Sequence, residues 1–377
     1  MQPFCDTHTI AFLKNWNSTQ KPLDVALSDY FRSHKSLGSH DRKTIGENVY
    51  SLVRWKSLFD ELDPSQNFSK RLYLLQKKAL SEYKSLETIP LPARLGLTPY
   101  LWEQLTQNYS PEIALSLAEI LNSSAPIVVR ANLLKTTREE LLKRWENKFQ
   151  MLPSKLTPNA IIFSKREPLF SCEEFRLGLF EVQDEGSQMV ANLVQACPGE
   201  RVLDYCGGSG GKSLAFAPRM QGKGEIYLHD IRPNALKEAS SRFRRAGVQN
   251  AQILSPSHPT LMKLKNKMDW VLIDVPCSGT GTLRRNPDMK WKIDDAMIQR
   301  LKVEQRAIFE DACSFVKPGG RLVYATCSIL AEENENQIAH FLKTSPLLLE
   351  KEPLKLLPQH EGPDGFFAAV FRKPKIE

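Results

Sequence analysis

Hydrophobic positions change their spacing along the chain, and this change divides it into three regions. Over residues 1 to about 85 they recur at the spacing of a helix face, as Ile45, Val49 and Leu52 do, and this periodicity predicts amphipathic helices. The following stretch, to about residue 185, alternates short apolar runs such as APIVVRAN and AIIFSK with helical patterns, which predicts a small α+β module. The predicted domains are therefore residues 1–86, 87–185 and 186–377.

The third region has the pattern of repeated β and α units. Five apolar runs predict strands: RVLDYC, EIYLHD, AQILS, DWVLIDV and RLVYATCS. Helices are predicted between them, except between AQILS and DWVLIDV, which follow one another. Repeating units of this kind need right-handed crossovers and form a doubly wound, mostly parallel sheet. We therefore expect an α/β, Rossmann-like domain here, with the terminal run GFFAAVFRK as a late edge or hairpin strand. Long single helices are predicted over residues 99–121 and 295–316.

Composition narrows the class of protein only modestly. The 377 residues carry a formal net charge of +8, which fits a polyanionic partner such as nucleic acid and equally fits a merely basic soluble protein. The seven cysteines form no CxxC pair and their number is odd, so a disulfide framework is disfavoured and a reducing compartment is expected. We expect no bound metal.

Membrane insertion and secretion are not expected from this sequence. Apolar runs fall short of the ~18 residues that a membrane-spanning helix needs. The first residues, MQPFCDTHTIAFLKNW, lack the basic start, apolar core and cleavage site of a secretory signal. A cytoplasmic, monomeric protein without a membrane partner is the expectation.

Two predicted strands end on a cysteine at the point where the chain turns polar. Asp274 and Cys277 follow the run DWVLIDV, and Cys327 follows RLVYAT. Ligands of open α/β sheets bind beyond the carboxyl ends of the strands, so these three side chains are expected at one site. A thiolate is a strong nucleophile, which makes the two cysteines candidates for covalent catalysis. The alternative, a small buried hydrophobic residue, is the interpretation of the other cysteines, Cys5, Cys172, Cys197, Cys206 and Cys313.

A glycine-rich turn, LDYCGGSGGKS, follows the first strand of the third region. It runs into a helix, so that its backbone can approach a ligand closely at a positive helix end. Asp230 ends the next strand, where an acid can accept hydrogen bonds from a ribose. Together these features favour an adenosine-bearing cofactor, and the alternative is a structural turn followed by a helix-capping Asp.

Basic and aromatic residues follow the turn that carries Cys277. Arg284, Arg285 and Lys290 surround Trp291 in the segment LRRNPDMKW. Such a group suits phosphate contacts together with base stacking. A solvated loop has the same composition, and the position of the group beside the candidate thiol favours nucleic acid.

At these residues the sequence resembles the RsmB/Sun family of AdoMet-dependent RNA cytosine-5 methyltransferases. IDVPCSGTGTLRRNPDMKW is similar to the family signature, and GGRLVYATCSILAEENE resembles the strand that carries its other cysteine. The resemblance covers about residues 97–377. It implies a class I methyltransferase domain, and the N-terminal region resembles a reduced form of the RNA-binding, NusB-like helical domain of RsmB-type members.

The resemblance also implies a role for each candidate residue. Cys327 would add to carbon 6 of a target cytosine, Asp274 would hydrogen-bond the N3 edge of the base, and Cys277 would help to release the product. S-adenosylmethionine would be the cofactor. RNA would be the partner, and the resemblance favours ribosomal RNA. The residues that bind S-adenosylmethionine would be Cys206, Gly207, Gly208, Ser209, Gly210, Gly211, Lys212, Asp230 and Asp274.

This chain departs from the family pattern in its cofactor region. It has GGSGGK where the family usually has AAPGGK, and ILSPSHPT where an acid commonly contacts adenine, so that Ser255 or Ser257 would have to substitute. Two alternatives therefore remain beside a ribosomal RNA methyltransferase. One is a transfer RNA methyltransferase of the same fold, and the other is an RNA-binding assembly factor with weakened catalysis.

Overall fold

The computed structural model describes residues 4–16 and 21–375. Residues 1–3 and 17–20 of the predicted helical domain, and 376–377 of the predicted catalytic domain, lie outside the described residues. Contacts between residues divide the chain into two compact units. Unit 1 comprises residues 1–124 and 282–297, and unit 2 comprises residues 125–281 and 298–377. Segment 282–297, which the sequence analysis assigned to the catalytic domain, is thus part of unit 1.

Unit 1 is helical, as the hydrophobic spacing predicts. Its helices are α1 Phe4–Trp16, α2 Leu23–Ser33, α3 Ser39–Arg54, α4 Lys56–Leu62, α5 Phe68–Lys77, α6 Leu80–Lys84, α7 Leu91–Arg94, α8 Pro99–Asn108 and α9 Pro111–Ile120. Ile45 and Val49 lie on one face of α3 and are fully buried, together with Leu58 and Phe59 of α4. Burial of these apolar faces drives the packing of the helices.

The single helix predicted over residues 99–121 is wrong, because the structure has two. The first ends at Asn108, and Ser110 then caps the second by accepting a hydrogen bond from the backbone N–H of Ile113. Pro111 occupies the first position of α9, where its missing N–H costs nothing. Ser-Pro is therefore a helix start, and it divides the apolar pattern.

Segment 282–297 is fixed to unit 1 by one buried lysine. Lys290 is 0% exposed, and its ammonium group donates hydrogen bonds to the carbonyl oxygens of Arg54 (2.6 Å) and Gly96 (2.8 Å) and to Oδ1 of Asn122 (2.6 Å). Burial, followed by the positive charge of Arg54, lowers the pKa of Lys290 well below its usual value. The three oxygen acceptors replace the water that the ammonium group loses.

Unit 2 contains a small antiparallel sheet and a large, mostly parallel one. The small sheet has the order β2-β3-β1-β4. Its elements are β1 Ile127–Ala131, α10 Arg138–Trp145, β2 Met151–Pro153, β3 Ala160–Phe163, α11 Glu173–Arg176 and β4 Phe180–Val182. Thr137 and Glu140 have the sequence spacing of a capping box, and this box is present at the start of α10. The α+β pattern of this region is thereby confirmed.

The large sheet is the doubly wound sheet that the alternating pattern predicts. Its strands follow the order β10-β12-β9-β8-β5-β6-β7, and β11 pairs with β12. The elements are α12 Glu185–Ala191, β5 Arg201–Asp204, α13 Gly211–Phe216, β6 Glu225–His229, α14 Pro233–Ala246, β7 Ala251–Leu254, α15 Thr260–Lys263, β8 Met268–Asp274, α16 Asp295–Cys313, β9 Val316–Thr326, α17 Glu335–Thr344, β10 Leu348–Leu349, β11 Leu354–Leu356 and β12 Phe366–Arg372. Strands β6, β5, β8 and β9 are parallel neighbours.

Of the two places predicted for the last strand, an edge or a hairpin, the structure has the hairpin. β12 pairs antiparallel with the preceding strand β11 and with β10 on one side and with β9 on the other, so it is an interior strand and not an edge. Its residues Phe366 to Phe371 are all buried. An uninterrupted apolar run is the pattern of a strand covered on both faces.

Within residues 4–16 and 21–375, no helix combines the length and the apolar character that crossing a membrane would need.

Lys290 should stabilise unit 1, because its buried amine donates hydrogen bonds to three oxygen atoms there. We expect Lys290→Met to lower the free energy of unfolding by about 2–4 kcal/mol, because three oxygen acceptors lose their donor inside the protein. Urea unfolding followed by tryptophan fluorescence measures this loss. Lys78→Met is the control, since that side chain is 49% exposed and pairs with Glu82, which is 53% exposed, and we expect less than about 1 kcal/mol. Equal losses in the two variants would contradict the role of Lys290.

Candidate active site

The glycine turn joins β5 to α13 and packs tightly against strand β6. The Gly207 N–H donates to the His229 carbonyl at 2.9 Å, and the Gly210 N–H donates to the Gly207 carbonyl at 2.9 Å. A Cβ atom at Gly207 would lie 2.7 Å from Cγ of Leu228, and Gly210 has a φ of 79°. Side chains are therefore excluded at both positions, by contact with the sheet at one and by backbone conformation at the other.

A cavity of about 450 Å³ lies above this turn. The turn supplies Cys206, Gly207, Gly208, Ser209, Gly211 and Lys212 to its lining, and the neighbouring elements supply Val182, Gln183, Ser187, Asp204, Arg232, Ala235, Glu238, Arg242 and Asp274. Most of the predicted cofactor residues thus line one cavity. Asp230, Ser255 and Ser257 are not among its lining residues. The position of the loop after β7 therefore gives no support to a serine in place of the acid that commonly contacts adenine.

Two charged groups meet on the cavity wall. Lys212 forms an ion pair with Asp274, and its side chain is 10% exposed whereas that of Asp274 is 34% exposed. Burial acts to lower the pKa of Lys212, but the charge of Asp274 and its hydrogen bond act in the opposite direction, and the pKa is raised. Burial also raises the pKa of Asp204 to about 7, although Ser213 donates to that carboxylate at 2.7 Å.

Asp230 is buried behind Arg232. Its carboxylate accepts hydrogen bonds from Nε and Nη2 of Arg232, each at 2.9 Å, and from the Gly208 N–H at 2.9 Å. Burial acts to raise the pKa of Asp230, but the hydrogen bonds from Arg232 outweigh it and the pKa is lowered. Asp230 therefore holds the glycine turn in place, and its predicted contact with a ribose stays a prediction.

The two candidate thiols lie side by side. Sγ of Cys277 is 3.3 Å from Sγ of Cys327, and it also accepts a hydrogen bond from the Cys327 N–H at 3.3 Å. Both residues follow strands that pair in parallel, with Asp274 of β8 opposite Ala325 of β9. The hydrogen bond with Cys327, followed by burial, raises the pKa of Cys277 well above its usual value. Cys277 is thus a neutral thiol that can donate to its neighbour.

The backbone amides that follow Cys327 belong to short turns and not to the start of an α-helix. Residues Ala331 to Glu333 form a single 3-10 turn, and the α-helix begins only at Glu335. The intervening amides are already bonded, since the Ile329 N–H donates to Thr280 and the Leu330 N–H donates to Ser328. They are not available to a thiolate.

A buried carboxylate that the sequence analysis missed supports the turn of Cys277. Glu333 is 0% exposed and accepts hydrogen bonds from the Ser278 N–H (2.9 Å), from Oγ of Ser278 (2.5 Å) and from Nε2 of Gln305 (3.0 Å). Gln305 also donates to the Pro276 carbonyl at 3.0 Å. These contacts bracket Cys277 on both sides. The signal was the acidic run AEENE after a buried strand.

The structure contradicts the predicted RNA-binding group for three of its four residues. Arg284 is 1% exposed and Lys290 is 0% exposed. Trp291 packs against the hydrophobic core of unit 1, and its indole N–H donates to the Val53 carbonyl at 2.8 Å. Phosphate contacts and base stacking need accessible side chains, and these three are committed within unit 1. Arg285 is half-buried.

The described residues 4–16 and 21–375 contain no group of three or more His, Cys, Asp or Glu side chains placed to hold a metal ion.

Glu333 should be needed for the position of Cys277. We expect Glu333→Ala to lower the free energy of unfolding by about 2–4 kcal/mol, because Ser278 and Gln305 lose a buried charged acceptor. Thermal and urea unfolding measure the loss. Glu335→Ala is the control, because that carboxylate pairs with Lys355 at the surface with both side chains more than 40% exposed, and it should cost less than about 1 kcal/mol. A Glu333→Ala protein as stable as the control would contradict this role.

Comparison with known proteins places the chain among methyltransferases. Residues 191–372 match a family model described as 16S rRNA methyltransferase RsmB/F, and residues 98–169 match a ferredoxin-like domain of RsmF/B-like methyltransferases. The second match overlaps most of the small antiparallel sheet and ends before β4. The sequence signatures and the fold therefore agree on the same family.

Individual relatives extend this agreement over most of the chain. A probable ribosomal RNA small subunit methyltransferase B from Synechocystis is 31% identical over 76% of this chain and 69% of its own length. Ribosomal RNA small subunit methyltransferase B from Vibrio vulnificus is 30% identical over 91% of this chain and 80% of its own. The crystal structure of PH0851 has the same fold, with a TM-score of 0.82, 22% identity and coverage of 99% of both chains. The chain belongs to the RsmB/F family of 16S rRNA methyltransferases.

Proposed function

We propose that this protein transfers a methyl group from S-adenosylmethionine to carbon 5 of a cytosine in small-subunit ribosomal RNA, through a covalent bond between Cys327 and the base. The observation that carries the proposal is the 3.3 Å separation of the Cys277 and Cys327 sulfur atoms at the sheet edge that also bears Asp274. The curated relatives act on ribosomal RNA of the small subunit by name, which favours that substrate.

The cavity fits a cofactor of the size of S-adenosylmethionine. The exposed faces of Gly208 and Gly211 point to open space, since a Cβ atom would meet nothing closer than 3.4 Å at either position. When bound, the cofactor supplies an electrophilic methyl group. The glycine turn and Lys212 would hold it, because the backbone comes close there without side chains.

Cys327 would act as the nucleophile. Its thiolate adds to carbon 6 of cytosine, and this addition makes carbon 5 electron-rich and ready to accept a methyl group. Cys277 is protonated beside it, since its pKa is raised well above the usual value. A neutral neighbour is less repulsive to a thiolate than a second anion would be.

Asp274 would position the base and steady the developing charge. A carboxyl group at the N3 edge of cytosine hydrogen-bonds that nitrogen once a proton lies between them. The ion pair with Lys212 fixes the position of this carboxylate, and the raised pKa of Lys212 keeps the pair charged, so the N3 proton comes from solvent. After methylation, a solvent base takes the proton from carbon 5, the electrons of that bond re-form the double bond between carbons 5 and 6, and Cys327 leaves as a thiolate. Cys277 would assist by donating a hydrogen bond to the departing sulfur.

Two cysteine variants should separate these roles. Cys327→Ala should abolish methylation and form no adduct, because no nucleophile remains. Cys277→Ala should slow release and accumulate a covalent protein–RNA complex, visible as a band that survives denaturing electrophoresis. Cys197→Ala is the control, since Cys197 is an exposed cysteine, and it should behave like the native protein. An adduct that accumulated in Cys327→Ala instead would reverse the assignment.

Bisulfite sequencing of RNA from cells with and without the gene identifies the substrate. We expect one or a few cytosines of small-subunit ribosomal RNA to lose protection from deamination when the gene is absent. Loss confined to transfer RNA would transfer the proposal to that substrate. An unchanged pattern in all RNA, with the purified protein failing to bind S-adenosylmethionine at millimolar concentration, would favour an assembly factor.

A further inference from the structure

The glycine turn contains four glycines around a single serine, and a chain of this composition is costly to order. Gly207, Gly208, Gly210 and Gly211 flank Ser209. Glycine loses more conformational freedom on ordering than other residues do. A cofactor that binds this turn must therefore find it already held, or lose affinity to the ordering.

One arginine holds Ser209 from outside the turn. Nη1 of Arg242, in α14, donates to Oγ of Ser209 at 2.7 Å and to its carbonyl oxygen at 3.1 Å. The same guanidinium donates through Nε and Nη2 to one carboxylate oxygen of Glu181, at 3.1 and 2.9 Å. Arg242 therefore connects the middle of the turn to strand β4 of the small antiparallel sheet.

The small sheet contacts the turn at a second point. Arg130 of β1 donates to the Gly211 carbonyl at 3.1 Å, and Gln183 donates to the same oxygen at 3.2 Å. Arg130 and Glu181 face each other in the register of β1 and β4. The small sheet thus contacts the turn at two points, at Ser209 through Arg242 and at Gly211 directly.

We propose that Arg242 is a positioning residue for the cofactor, and that it acts by clamping Ser209 to Glu181. The inference rests on the proposed function in that the ligand of the turn is S-adenosylmethionine. It gives the small sheet a part in cofactor binding. Burial strengthens the clamp, because the side chain of Glu181 is 4% exposed and that of Arg242 is 15% exposed.

A simpler interpretation is that Glu181 only attaches α14 to the small sheet. Arg245, one turn further along α14, provides the contrast, because its Nη2 donates to the other oxygen of Glu181 at 2.5 Å. Within the described residues, no side-chain hydrogen bond of Arg245 reaches the glycine turn. If attachment is the whole role, the two arginines are equivalent, and if the clamp operates, only Arg242 affects the turn.

The test compares Arg242→Gln with Arg245→Gln in the full-length protein. Each change removes one cation from Glu181. We expect Arg242→Gln to speed hydrogen–deuterium exchange in the cofactor-free peptide that contains Cys206 to Lys212. It should also weaken S-adenosylmethionine binding about ten-fold by calorimetry. In Arg245→Gln we expect the exchange rate and the Kd to stay within about two-fold of the native values. The melting temperature should fall in both variants, because each loses a contact with Glu181.

Ser209→Ala makes the test more specific, because it removes only the Oγ contact. We expect Ser209→Ala to raise the Kd for S-adenosylmethionine about three-fold. The double variant of Ser209→Ala and Arg242→Gln should have the same Kd as Arg242→Gln alone to within about two-fold, because both changes remove the same contact. In Ser209→Ala the rise in Kd should exceed any fall in the rate of methylation at saturating cofactor. A split between Kd and rate is the sign of positioning rather than of chemistry.

Two results would overturn the proposal. One is an equal rise in Kd for Arg242→Gln and Arg245→Gln, which would leave only attachment of α14. The other is unchanged exchange of the turn in Arg242→Gln. Failure of the native protein to bind S-adenosylmethionine would reject the proposed function instead, and the exchange comparison would still decide whether Arg242 holds the turn.

Discussion

The parallel pairing of β8 with β9 is the contact on which the candidate chemistry depends. Asp274 lies opposite Ala325 at the end of that pairing, and the two cysteines follow at once. Because parallel strands end at the same edge of a sheet, residues far apart in sequence meet there. Leu272, Ile273 and Val323 in these strands are fully buried. The position of two reactive sulfur atoms is therefore a consequence of hydrophobic packing below them.

Charges around the cavity are arranged in pairs. Asp274 has Lys212, Asp230 has Arg232 and Glu181 has Arg242. A buried charge without a partner is costly, so each pair is stable only while both members are present. The same pairs hold the turn and the strand ends in fixed positions. Preorganisation of the candidate site and satisfaction of buried charge are thus produced by the same contacts.

The segment after Cys277 shows how a polar signature can serve the fold. Lys290 and Trp291 belong to a run that suggested contact with RNA, yet both donate hydrogen bonds to backbone carbonyls of unit 1. Burial disfavours the charged form of Lys290, and the three oxygen acceptors replace the water that its amine loses. A basic and aromatic composition therefore does not distinguish an RNA surface from a buried anchor.

Most of the fold was determined by local patterns in the sequence. Apolar runs bounded by Gly, Pro and charge located β5 to β9, and Thr137 with Glu140 located the start of α10. Asp274, Cys277 and Cys327 were also identified from the sequence, because residues that directly follow buried parallel strands reach the same edge. The helix division at Ser110 was missed, and whether β12 lies at an edge or inside the sheet was left open. A cap interrupts an apolar pattern without changing it, and strand order depends on pairing between distant segments.

Only the tertiary structure decided which polar side chains face solvent and which partner one another. Glu333 supports Cys277, and Arg242 reaches Ser209 across residues that are distant in sequence. No local pattern records such contacts, since an arginine on the polar side of a helix looks the same whether it meets water or a carboxylate. The sequence by itself determined the strands and the reactive groups at their ends. The folded chain determined which charges hold those groups in place, because that depends on the three-dimensional proximity of residues.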